Sequence, residues 1–393
     1  AGEFNLRLFL SLIQADGYNP LVINGLKFSL PAEGLSDLLT LVKKPPELAD
    51  VFSSHFTPGD LFDAAQRAQP LIPAQEFLER VMSKAEAHIQ AQHGEGYWVD
   101  HWTYLLDLVE SYLAIFPDRK LALLFESTPL PFYDSAWLVQ PREARFVLYQ
   151  GKARQLHAVI KDEQKVALIE SRDTDPHWAR AEDGKGAIFR LPVVSKLALL
   201  ALLKFATLDP SGMGILMEAG RPGWYDALNG LPALFGSSMP ETYELLRLVK
   251  FLINLLEEAR RPILLPIEAK ILLEAIERGL QVDFDSFTLW DHLSSAVEAY
   301  RASTRLGFEG HTISVDMAQM LLEMHASLTS GIAQAQNFTG DSPPTYFIHE
   351  ATDYNLTGEE DQDGNPYIEV THFKPQVLPL FLEGPVRWMK IND

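Results

Sequence analysis

Eighteen consecutive residues, LPVVSKLALLALLKFATL (Leu191–Leu208), are apolar except for Ser195, Lys196, Lys204 and Thr207. A helix of this composition has no polar face to offer water and must be enclosed by other elements. It falls short of the roughly 20 apolar residues of a bilayer span, and two lysines interrupt it, so it reads as a buried core helix. Enclosing it takes a large core, which 47% hydrophobic residues in a chain of 393 can supply. That length suggests two or three domains.

Around this stretch the apolar spacing is mostly helical. In PAQEFLERVMSKAEAHIQAQ, Phe77, Val81, Ala85 and Ile89 recur at i, i+4, with Pro73 near the start. HWTYLLDLVESYLAIF ends before Pro117. PETYELLRLVKFLINLLEEA begins with Pro240 and Glu241, both favoured in a first turn. PIEAKILLEAIERG ends at Gly279, a candidate C-cap. FTLWDHLSSAVEAYRAST and SVDMAQMLLEMHASLTSGIAQA are further amphipathic helices.

Strand signals are fewer. Alternation in residues 145–170 and in 345–373 reads as β-hairpins, the second closed by the acidic turn TGEEDQDGNP. Gly364 directly follows Asp363, so the turn fails the EF-hand register and reads as a hairpin tip. Residues 1–70 read as an irregular N-terminal segment or linker, or the end of a preceding domain. Residues 71–393 read as one mainly α catalytic domain, a barrel of helix pairs with small β-hairpin insertions. The loops at one end of such a barrel are a natural substrate pocket.

Formal net charge is −20, which argues against nucleic acid and against adhesion to anionic membranes. The chain lacks cysteine, which excludes disulfides, thiolate zinc and cysteine nucleophiles and is compatible with a cytoplasmic setting. The eleven histidines show no metal-ligand spacing, so no metal site is expected. Asn5 and Arg7 are followed only by the short apolar run Leu8–Ile13, so no signal peptide is expected. The opening Ala-Gly-Glu-Phe, without Met, reads as a piece of a longer protein. Association with its other segments, or a homodimer, is open.

Three constellations could carry chemistry. In GRPGWYDALNGLPALFGSS, Asp226 sits beside Trp224 and Tyr225, which can raise a carboxyl pKa by excluding water and so keep an acid protonated. Asn229 offers a donor and an acceptor to hydroxyls. A capping aspartate among core aromatics fits the same residues. In GEGYWVDHWTYLLDLVESY, Tyr97, Trp98, Asp100, His101, Trp102 and Tyr104 suit a polyhydroxylated ligand, although Asp100 also fits an N-cap. In NFTGDSPPTYF, Thr339, Gly340 and Ser342 could present hydroxyls and N–H groups to an oxyanion, or simply form a post-helix loop. Arg142, Arg145 and Arg154, with His157, could clamp phosphate or face solvent.

GWYDALNGL resembles the W-N-D-G-x-N segment of the cellobiose phosphorylase-like glycoside phosphorylases, with Tyr225 where that family usually has Asn. YWVDHWTYLLDLVESYL is a looser match to a helix start in the same family. The resemblance implies an (α/α)6 barrel, Asp226 as the catalytic acid, and Trp224, Asn229, Asp100 and Trp102 around the sugar; on residue type Trp98, His101, Tyr104 and Tyr225 are expected beside them. Inverting phosphorolysis of a β-glucoside or short β-glucan would then release a sugar 1-phosphate. It needs no cofactor beyond inorganic phosphate as co-substrate; on residue type alone, Arg142, Arg145, Thr339, Gly340 and Ser342 are the candidates to hold that phosphate. The alternatives are a β-glucan hydrolase, with Asp100 or Glu95 as base, and a catalytically silent carbohydrate-binding fragment of a larger enzyme.

Overall fold

A computed structural model describes residues 2–18, 21–93, 101–217, 233–340 and 342–391. The chain divides into two compact units, Leu21–Tyr97 and the remainder, Ala1–Pro20 with Trp98–Asp393.

In the smaller unit, strands Leu21–Ser29 and Glu86–His93 pair antiparallel. Helices Ala32–Leu39, Pro46–Phe52, Pro58–Ala68 and Ala74–Lys84 lie between them in sequence. Leu48, Phe56, Leu61, Phe77 and Val81 form its core. Thr57 and Asp60 make a reciprocal capping box with Pro58 in the first turn. Much of the segment read as irregular is therefore regular structure. The helix expected to run on to Gln92 ends at Lys84, because EAHIQAQH pairs with residues distant in sequence.

The larger unit is built around helix Val193–Ala206, whose every residue is buried. Helices Met239–Ala259, Lys270–Gln281 and Ser286–Thr304 pack against it, and Ala318–Gln336 packs along Met239–Ala259. Side chains fix the starts of two of these. Ser238 accepts from the Glu241 N–H, with Pro240 in the first turn, and Asp285 accepts from the Thr288 N–H. Helix Lys270–Gln281 runs past Gly279. Among the described residues no helix is long and apolar enough to cross a membrane.

The expected mainly α barrel is not what forms. Helix accounts for 50% of the described residues and strand for 23%, and one sheet has six antiparallel strands, so the fold is mixed α and β. The spatial order is Lys152–Gln155, Phe146–Tyr149, Pro366–Val377, Tyr346–Glu360, Gly236–Ser238, Ile215–Met217. The hairpin near 345–373 is real but is no peripheral insertion. Its strands, Tyr346–Glu360 and Pro366–Val377, form the middle of the sheet and recruit the short strands on either side. Two three-residue strands leave almost no periodic signal, and long-range pairing leaves none.

Helix Ala318–Gln336 approaches the loop after Ala206 closely at Gly331. A β-carbon there would stand 2.1 Å from the Gly212 carbonyl oxygen. Gly331→Ala, normally stabilising by about 1 kcal/mol in a helix, should instead destabilise by about 1–3 kcal/mol. Urea unfolding measures this directly.

Candidate functional site

A cavity of about 780 Å3 in the larger unit is the size of a small-ligand site. Strand Trp137–Val139, the turn Arg142–Ala144, helix Ser286–Thr304 and strand Pro366–Val377 wall it. Trp137, Phe146, Phe287 and Trp290 supply apolar ring surface.

Arg142 ties two of these walls together. Asp291, Ser295 and Glu298 lie at i, i+4 and i+7, which puts them on one helix face. The Arg142 guanidinium donates to Asp291 Oδ1 at 2.7 Å, Ser295 Oγ at 2.8 Å and Glu298 Oε1 at 3.0 Å. Its backbone N–H donates to Glu298 at 2.8 Å, and its charge stands 5.0 Å from the Trp290 ring centroid. Deeper in the wall, Asp134 pairs with Lys165 at 2.7 Å and Arg172 at 2.8 Å, all nearly buried. Burial pulls the Lys165 ammonium below its ordinary pKa, and Asp134 opposes that pull. Seven carboxylates and four cations line the cavity, so the described wall is acidic.

A smaller cavity of about 40 Å3 adjoins it, sharing Arg142, Phe146, Trp290, Glu298 and Arg301. Its other side is Leu216, Met217 and Phe235, the residues flanking 218–232. A third, of about 380 Å3, lies between helices Lys270–Gln281, Ser286–Thr304 and Ala318–Gln336, and Trp290 lines it too.

Asp226, Trp224, Tyr225, Asn229, Glu95, Tyr97, Trp98 and Asp100 lie outside the described residues, as does the side chain of His101. Trp102 and Tyr104 line neither of the two adjoining cavities. Trp102 is a core residue whose indole donates to Glu241 at 2.9 Å, and Arg387 stands over the Tyr104 ring. Thr339, Gly340 and Ser342 also fall outside both cavities. They form a turn after the helix, where the Thr339 hydroxyl donates to the Gln336 and Ser342 carbonyls. Arg145 does reach the smaller cavity, beside Gln155, and Arg142 reaches both. Sequence reasoning passed over Trp290, Asp291 and Glu298. Their signal was a tryptophan among acids at one-face spacing on a helix recognised only as amphipathic.

His157, Asp361 and Asp363 bring one ring nitrogen and two carboxylates within 4.8 Å of one another at the hairpin tip. Asp361 folds the turn by accepting the N–H groups of Asp363 and Asn365, and His157 contacts Asp363 at 2.7 Å. These are contacts that close an exposed hairpin tip.

Asp209, which lines the third cavity, belongs to a buried polar cluster with Ser237 and His349. Asp209 accepts the Ser211, Met213 and Gly214 N–H groups and the Ser237 hydroxyl, and contacts His349 Nε2 at 3.2 Å. No family model matches the chain, and no curated protein matches it.

Burial pushes the Asp209 carboxyl up, but His349 and the donors around it prevail and hold its pKa below the ordinary value. A depressed carboxyl stabilises the fold above its unfolded-state pKa, and the contribution disappears as pH falls through the folded value. Asp209→Asn should cost about 3 kcal/mol at neutral pH and flatten the loss of stability on acidification below the ordinary carboxylate range. Urea midpoints of both proteins from about pH 3 to about pH 7 test this.

Proposed function

We propose that this chain is a carbohydrate-processing enzyme, with Asp226 as the acid of an inverting phosphorolysis of a β-glucoside or short β-glucan. One observation carries the reading. The residues flanking 218–232, the segment that resembles glycoside phosphorylases, line a cavity whose far wall is also the wall of the 780 Å3 cavity. Aromatic ring faces beside carboxylates and guanidinium groups suit a polyol, whose C–H face stacks on indole and whose hydroxyls donate and accept. In the reaction a phosphate oxygen forms a bond to the anomeric carbon as the glycosidic C–O bond breaks. The Asp226 proton passes to the departing oxygen. Phosphate is itself the nucleophile, so no second carboxylate is required to activate water.

A hydrolytic reading draws support from charge. Arg142, Lys165 and Arg305 are held by Asp291 and Glu298, by Asp134, and by Asp162, respectively. The excess of carboxylates in the larger cavity suits a water-activating base better than an anion site.

Incubating the protein with β-glucans, with and without inorganic phosphate, separates the two. Phosphate-dependent release of sugar 1-phosphate supports phosphorolysis, and phosphate-independent release of reducing sugar supports hydrolysis. Asp226→Asn should lower the turnover by at least about 100-fold while leaving the melting transition in place. Undiminished turnover in that variant removes Asp226 from the chemistry.

A further inference from the structure

We infer that Asp209, Ser237 and His349 form one positioning unit that holds the Leu216–Met217 and Phe235 wall of the smaller cavity. Its link to turnover rests on the reading above.

The same three residue types serve serine hydrolases, but the geometry here is different. A nucleophilic triad uses one imidazole nitrogen for the serine and the other for the carboxylate. In this cluster a single nitrogen, His349 Nε2, meets both Ser237 Oγ at 3.0 Å and Asp209 Oδ2 at 3.2 Å. The Ser237 hydroxyl already donates to Asp209 at 2.8 Å. Ser237 and His349 are almost fully buried and line none of the three cavities. An unactivated, inaccessible serine is no nucleophile.

The cluster does hold backbone. Strands Ile215–Met217 and Gly236–Ser238 have three residues each, and the first is at the edge of the sheet. So short a ladder is marginal by itself. Asp209 supplements it by taking the Gly214 N–H at 2.7 Å, next to the first strand, and the Ser237 hydroxyl within the second. His349, on strand Tyr346–Glu360, contacts both side chains, and its own N–H donates to the Phe235 carbonyl at 2.7 Å. The packing leaves no slack, since a β-carbon on Gly214 would lie 2.8 Å from Ser237 Oγ. One carboxylate, one imidazole and the His349 backbone N–H thus set where Leu216, Met217 and Phe235 stand. A displacement of about 1 Å at such a wall can cost about 100-fold in rate without a matching loss of affinity.

Ser237→Ala and His349→Gln test the unit in two ways. Hydrogen exchange followed by mass spectrometry should show faster exchange in peptides covering 213–217 and 233–238, with helix Met239–Ala259 unchanged. In the same preparations, kcat for β-glucan turnover should fall about 10- to 100-fold while KM stays within about 2-fold. Localised faster exchange supports the positioning role even where Asp226→Asn shows the proposed chemistry to be wrong. Unchanged exchange in those peptides, exchange raised uniformly across the chain, or labelling of Ser237 by a fluorophosphonate would overturn it.

Discussion

Enclosing helix Val193–Ala206 requires apolar neighbours on every side, and it also brings two lysines into the core. Lys196 is wholly buried. Its ammonium donates to the Pro131 carbonyl and stands 4.1 Å from the Phe132 ring centroid. Burial, with Arg190 adding to it, holds the group well below the ordinary lysine pKa. Lys204 lies over the Trp102 ring, whose indole reaches Glu241. The helix is therefore joined at one end to the Leu130–Pro131 region and at the other to helices His101–Ile115 and Met239–Ala259. Ile215, Tyr243, Leu272 and Leu293 belong to the core that surrounds it.

The two adjoining cavities lie where this helical core meets the six-stranded sheet. Helix Ser286–Thr304 serves both parts. It packs against the buried helix and also presents Trp290, Asp291 and Glu298 to the cavities. Arg142 then fastens the segment leading into the sheet to that helix. Its role is structural first, because three side chains and a ring occupy its guanidinium. An arginine conspicuous in sequence as an anion binder can be fully engaged by carboxylates that become its neighbours only after folding.

The long helices of the larger unit were legible because they show their period over many turns, and the buried helix because composition alone demanded enclosure; the short helices before Gln69 were not. The sheet was not. Ile215–Met217 and Gly236–Ser238 are too short to alternate visibly, and Glu86–His93 contains residues at home in helices. The site was partly legible. Arg142 and Arg145 were selected on charge and do line the cavities, and the flanks of the Asp226 segment adjoin them. Trp102 was selected for the company it keeps in sequence, but its neighbours in space are the core and Glu241. A tryptophan beside acids looks alike in sequence whether it stacks on a ligand or fills a core.

Trp290 lines all three cavities. Where separate voids share one large side chain, their sizes are not independent traits. Shortening that side chain would open space beside it in each of them at once. Divergence toward a bulkier ligand would then begin inside the helix, at one codon, rather than in the surface loops where new specificities are usually sought.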